Sequence, residues 1–138
     1  MQEFQQYIDG AFSDGASQFE SLDPATGRPW ALMPEARRAD VNRAVDAAHH
    51  AFHAPEWAGM TASQRGKLLM RLADLVAEHA PRLAALETRD TGKIIRETSA
   101  QIAYVAEYYR YYAGLADKIE GAHLPIDKPD MEVWLRRE

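Results

Sequence analysis

The chain has 138 residues, 46% of them apolar and 27% charged, with a formal net charge of −5, the profile of a soluble globular segment large enough for one core. That mild acidity, spread along the sequence without a basic stripe, argues against a nucleic-acid partner, and no apolar run approaches the roughly 18–20 residues of a membrane helix. The complete lack of cysteine excludes a disulfide framework, a thiolate metal site and a thiol nucleophile.

The opening MQEFQQYIDG has neither a basic region nor an apolar run of the secretory type, so a cytoplasmic location is expected. Short strands come first. Tyr7-Ile8 precedes the turn pair Asp9-Gly10, with Phe12 beyond it, and Asp14-Gly15 marks a second turn. Phe19 to Leu22 reads as a strand stopped by Asp23-Pro24-Ala25-Thr26-Gly27. Trp30 and Leu32 then alternate with small residues until Pro34 is expected to end the run. Antiparallel ribbons over about 5–34 are the natural reading.

From about residue 40 the apolar period lengthens to about 3.6 residues. Val41, Ala44, Val45, Ala48 and Phe52 form one stripe of a helix that closes near Pro55. Thr61-Ala62-Ser63-Gln64 is a capping box. Behind it Leu68, Leu69, Leu72, Leu75 and Val76 share a face opposite Lys67, Arg71, Asp74 and Glu78. Pro81 suits the first turn of another helix and Gly92 its C-terminal end. The longest helix is predicted from about Glu97 to Glu120, with Ile102, Val105, Tyr108, Tyr109, Tyr112 and Ile119 on its apolar side. Helices thus fill about 40–120. Over about 131–138, Met131 to Glu138 alternates apolar and polar like a strand, with no turn or polar tail after it. The expectation is an incomplete strand pair and hence a longer parent.

Candidate chemistry is sparse. His49 and His53 stand at i and i+4, a spacing that can hold one metal from a single helix face. Position 50 is histidine rather than the usual glutamate and no third ligand is evident, so a helix edge is the plainer reading. His79 and His123 are isolated. Glu87, Asp90 and Glu97 surround Thr91-Gly92-Lys93, where capping and pairing with Arg89 or Lys93 outweigh acid–base chemistry. Tyr108-Tyr109-Arg110-Tyr111-Tyr112 spreads over more than one helix face, which favours packing over base stacking. There is no GxGxxG and no Walker loop. By themselves these residues describe a mostly helical chain with β-ribbons.

Several segments together carry a family resemblance. They are Tyr7-Ile8-Asp9-Gly10, Phe19 to Gly27, Asp40 to Val45, Leu86-Glu87-Thr88-Arg89-Asp90-Thr91-Gly92-Lys93, Tyr111 to Lys118 and Leu135-Arg136-Arg137-Glu138. In order and spacing the chain resembles the amino-terminal part of the aldehyde dehydrogenase superfamily, and the LETRDTGK and YYAGLADK stretches look like its betaine-aldehyde and related branches. The resemblance implies a parent with an α/β, Rossmann-like fold that oxidises aldehydes to carboxylic acids with NAD or NADP. It implies a cysteine nucleophile, a glutamate that activates water and an oxyanion asparagine, all beyond residue 138 in the family. This segment should then be mainly α-helical with antiparallel ribbons, hold no catalytic or nucleotide-binding residue, and bind no nucleotide alone.

Three lesser roles follow from the same resemblance. Ser21, Leu22 and Asp90 correspond to part of a K+ or Na+ site. Gln101 and Tyr104 correspond to the substrate entrance, with core packing as the alternative. Val133 to Arg137 corresponds to the first half of an oligomerisation ribbon whose open edge would pair with another copy. A rival of another class is a stand-alone helical interaction module without enzymatic activity.

Overall fold

The computed structural model describes residues 1–136. Its first strands are Gln2–Glu3 (β1), Gln6–Ile8 (β2), Ala11–Ser13 (β3), Ser17–Asp23 (β4) and Arg28–Glu35 (β5). β2 and β3 form an antiparallel hairpin. Its turn residues Asp9 and Gly10 both take positive φ (54° and 75°), as a two-residue hairpin turn of the primed type requires. β4 and β5 pair antiparallel around a turn in which the Gly27 amide donates to the Asp23 carbonyl at 2.7 Å.

Two features differ from the sequence reading. β1 pairs with β5 in parallel, Gln2 opposite Ala31 and Glu3 opposite Leu32, giving the order β1-β5-β4. A strand of two residues shows no period, so nothing local announces it. Pro34 does not end β5, which runs on to Glu35 with Pro34 opposite Gln18. β1 does not reach that far, so the missing amide hydrogen interrupts no ladder on the open edge.

Five helices follow: Arg38–His53 (α1), Pro55–Ala58 (α2), Ala62–Glu78 (α3), Ala80–Thr91 (α4) and Ile95–Leu115 (α5). Ala122–Leu124 (β6) and Val133–Leu135 (β7) then pair antiparallel. Of the strand expected to run to the end, Arg137 and Glu138 lie outside the described residues. None of the described helices is long and apolar enough to cross a membrane.

Local chemistry sets the helix starts. α3 opens on its capping box: the Gln64 amide donates to Thr61 Oγ1 at 3.3 Å, and the Thr61 amide to Gln64 Oε1 at 2.8 Å. α1 starts slightly before the predicted residue 40, because the Asp40 carboxylate accepts from the Arg37 amide at 2.9 Å and from Arg43 at 2.7 Å. The backbone hydrogen bond, then Arg43, holds the Asp40 carboxyl below its ordinary value of 3.8. The native carboxylate therefore stays charged at pH values where the unfolded chain takes up a proton. Its stabilisation is complete above the unfolded value and is lost as pH falls through the lower native one. Asp40→Ala is expected to flatten the acid loss of helicity as pH falls below the ordinary carboxylate value. An unchanged acid profile by far-UV circular dichroism would contradict this cap.

Small residues carry the packing. Gly66 and Ala73 of α3 and Ala106 and Ala113 of α5 are buried where these two helices pack together, and Ala84 of α4 and Thr98 of α5 are fully buried as well. The predicted leucine and tyrosine faces are covered only in part: Leu69, Val76, Ile102 and Tyr109 are half-buried. Leu68, Leu72, Leu75, Val105, Tyr108 and Tyr112 stay exposed, because helices drawn together on glycine and alanine leave larger side chains at the margin. α5 also stops at Leu115 rather than Glu120. The Ala116 and Lys118 amides bond to Ala113 and Leu115 (3.4 and 2.9 Å), three-residue turns that close the helix. Arg110 ties α5 to Asp74 of α3 at 3.0 Å and to Glu107 at 2.5 Å.

The accessible surface is 10,842 Å². A compact monomer of this mass, 15.5 kDa, exposes about 7,200 Å². The excess reflects a thin core and large apolar side chains left in solvent.

Candidate functional site

The end of α4 is brought against β4 by a glycine. Gly92 adopts φ 76° and its amide donates to the Thr88 carbonyl at 2.9 Å, which closes the helix. A Cβ at Gly92 would meet Pro24 Cβ at 3.1 Å, so the close approach to the β4–β5 turn suits glycine on both counts. Asp90 thereby reaches β4, where Ser21 Oγ donates to Asp90 Oδ1 at 2.6 Å. The ladder register slips between Ser21 and Leu22, and Leu22 lies opposite Pro29, which has no amide hydrogen. Bulge and proline together disturb regular main-chain pairing beside the carboxylate. Hydroxyl, carboxylate and main-chain carbonyl oxygens are the donors a hard cation takes. Ser21 and Asp90 are in contact, and Leu22 follows Ser21 in the strand. Ser21→Ala is expected to destabilise by about 0.5–1.5 kcal/mol, measured as a lowered urea midpoint; an unchanged midpoint would show that the contact contributes nothing.

Next to this group Arg89 covers Trp30, its guanidinium carbon 5.2 Å from the ring centre. Phe4 meets the same indole edge-on at 5.8 Å, and Trp30 is only 5% exposed. Of the two pairings anticipated for this acidic cluster, Lys93 supplies the ion pair and Arg89 stacks instead.

Gln101 and Tyr104 form a separate group on α5. Lys93 Nζ bridges from Glu87 Oε1 (2.6 Å) to Gln101 Oε1 (3.1 Å), fixing the amide over the α4–α5 junction. Tyr104 begins a ladder of rings at i, i+4 spacing: its centroid is 6.1 Å from Tyr108, which is 4.8 Å from Tyr112. The Tyr108 and Tyr112 hydroxyls are 3.3 Å apart, and this hydrogen bond, first among several causes, raises the pKa of Tyr112 above its ordinary value. Tyr104 is 66% exposed, so core packing is not its role within this chain. Among the described residues no hydrogen bond joins Gln101 or Tyr104 to the Ser21–Asp90 pair.

The sequence reading missed the Thr88–Thr98 hydroxyl pair, 2.7 Å apart and part-buried between α4 and α5. Threonine within a helix reads as surface, so only tertiary contact reveals it. Among the described residues no three histidine or acidic side chains cluster as a metal site.

The sequence profile described as the aldehyde dehydrogenase family matches residues 12–138. The chain belongs to that family. Along its whole length the chain is 73% identical to the (Z)-2-((N-methylformamido)methylene)-5-hydroxybutyrolactone dehydrogenase of Acinetobacter baylyi, of which it covers 28%. It is 46% identical over 123 residues to mitochondrial aldehyde dehydrogenase family 2 member B4 of Arabidopsis thaliana, covering 87% of this chain and 23% of that one. Among solved structures, the aldehyde dehydrogenase of Bacillus cereus superposes with a TM-score of 0.85 at 38% identity, covering 96% of this chain and 28% of that one. Betaine aldehyde dehydrogenase of Staphylococcus aureus, solved with NAD+, gives 0.81 at 37% identity, covering 93% and 26%. The chain thus spans about a quarter of the length of these relatives, and its α/β fold is that of their corresponding portion.

Proposed function

We propose that residues 1–138 are the amino-terminal segment of an NAD(P)-dependent aldehyde dehydrogenase, catalytically incomplete by themselves. In this reading a β-ribbon region occupies about 5–34, a helical region about 40–120, and the first part of an oligomerisation ribbon about 131–138. The observation that carries it is the 73% identity along the whole chain to a dehydrogenase of which the chain covers 28%. The surface excess supports it, since the apolar flanks of α3 and α5 would be covered by the rest of such an enzyme.

That relative's name also indicates a substrate class. A 5-hydroxybutyrolactone is a cyclic hemiacetal ester, and opening the ring gives an aldehyde and a carboxylate with release of one proton. The proposed parent reaction takes the ring-opened aldehyde, transfers its hydride to NAD+ or NADP+, and adds oxygen from water to give a second carboxylate with release of two more protons. NAD+ in the Staphylococcus aureus structure supports the cofactor. It would bind beyond this chain, which has no glycine-rich phosphate loop and no cysteine to attack the aldehyde.

Within the same proposal Ser21, Leu22 and Asp90 hold K+ or Na+, supported by their oxygen donors and disturbed strand pairing. Replacing both cations by a bulky organic cation is then expected to lower the melting temperature of the protein but not of Asp90→Ala; equal shifts in both would remove the site. Gln101 and Tyr104 line the substrate entrance, the β7 edge pairs with a second copy, and the enzyme acts in the cytoplasm without nucleic-acid or membrane partners. The stand-alone interaction module predicts a stable, monodisperse oligomer instead.

An assay of NAD(P)H formation with a hydroxybutyrolactone and with betaine aldehyde, on protein of verified mass, tests the assignment. No turnover is expected from the 15.5 kDa chain. Turnover at that mass, with contaminating enzyme excluded, would overturn it, because no cysteine is present.

A further inference from the structure

The last turns of α1 carry His49, His50 and His53, all exposed and none used by the sites described above. His49 and His53 lie a little over one helical turn apart on one face, their ring centres 4.4 Å apart and tilted by 42°. One of these rings is already oriented by the backbone. His53 Nδ1 stands 2.9 Å from the His49 carbonyl oxygen, so its Nδ1–H donates there and Nε2 keeps a free lone pair. A carbonyl bond of this kind fixes a ligating imidazole and raises its basicity. Phe52 meets His53 edge-on at 5.1 Å and shields one side of the ring. His50 is held in the same way by the Asp46 carbonyl at 2.8 Å, but it is turned about 100° around the helix and stands edge-on to His49 at 6.2 Å.

We propose that His49 and His53 form a two-imidazole surface site for a first-row transition-metal ion, preferring Cu2+, then Ni2+, over Zn2+. Imidazole nitrogen suits these ions, and the order follows their intrinsic affinities for nitrogen ligands. Among the described residues no third histidine or acidic group joins the pair, so water fills the remaining positions. Such an open site binds more weakly than a closed four-ligand one.

Copper alone is the probe. Untagged protein at neutral pH is titrated with Cu2+ by calorimetry, and the one-equivalent complex is examined by electron paramagnetic resonance. One ion per chain with two imidazole nitrogens in its spectrum is expected. His49→Ala and His53→Ala should each weaken binding by about tenfold or more, since the second imidazole otherwise adds intramolecularly, and each should leave one nitrogen. His123→Ala should change nothing, and because all these side chains are exposed, circular dichroism should show unaltered helicity throughout. Unchanged affinity in the His49→Ala/His53→Ala double variant would overturn the site. So would a loss caused by His50→Ala in place of His49→Ala.

Discussion

Gly66→Leu is expected to lower stability by about 3 kcal/mol and the melting temperature by about 10 °C. Gly66 is buried in α3 where that helix crosses α5. A Cβ there would stand 2.8 Å from the Ala113 carbonyl oxygen and 3.3 Å from Ala116 Cβ. The first neighbour is backbone and cannot swing aside, so the helices would have to separate. Separation also loosens the Ala73, Ala106 and Ala113 contacts that make up much of the core. Gly66→Ala should cost less, because better helix propensity returns about 1 kcal/mol against the same contact. Gly114, on α5, has open space around its Cβ position, and Gly114→Ala should stabilise by up to about 1 kcal/mol. If Gly66→Leu melts with the unaltered protein, the close α3–α5 seam is wrong.

The second large effect belongs to Trp30. Among the described residues it is the one large side chain that is both apolar and buried, held between the Phe4 edge and the Arg89 guanidinium. Trp30→Ala should cost about 3–5 kcal/mol, the range for removing a buried indole or phenyl ring. Trp30→Phe should cost much less. It keeps an aromatic face for Arg89 and Phe4, and it removes a buried Nε1–H that has no hydrogen-bond partner in the structure. An unpaired buried donor is itself unfavourable by about 1–3 kcal/mol, which offsets part of the lost area. Chemical denaturation of both variants tests this. Equal losses would mean that indole volume alone, and not ring stacking, determines the effect.

Features written in a few adjacent residues could be read from sequence. Thr61 with Gln64, Pro81, Gly92 and Asp9-Gly10 each act through bonds or dihedrals within their own turn, and each does so in the structure. Burial is different, because it depends on the neighbouring helix. The leucine stripe of α3 and the tyrosines of α5 have the right period for a core, yet the seam forms on Gly66, Ala73, Ala106 and Ala113, whose small size leaves little mark on an apolar pattern. The same limit applies to the site. Ser21 and Asp90 are 69 positions apart, and no local signal joins them; only the family resemblance placed them together. The bridge from Glu87 through Lys93 to Gln101, and the stacking of Arg89 on Trp30, were likewise invisible before the helices were in place. The segments behind the resemblance did identify the family. LETRDTGK ends α4 and YYAGLADK ends α5, where Asp90, Gly92 and Ala113 serve packing and turns, so these stretches say little about which aldehyde a branch oxidises.

If the chain is the amino-terminal segment proposed above, it should complete an aldehyde dehydrogenase whose remaining portion is inactive alone. Co-expression with the Acinetobacter baylyi dehydrogenase lacking its matching 138 residues tests that most directly, with NADH formation from a hydroxybutyrolactone as the readout. Neither part alone should turn over, and the pair should co-purify and reduce NAD+. Two soluble parts that never associate, with this chain a stable monodisperse oligomer by itself, would contradict the claim and favour an interaction module.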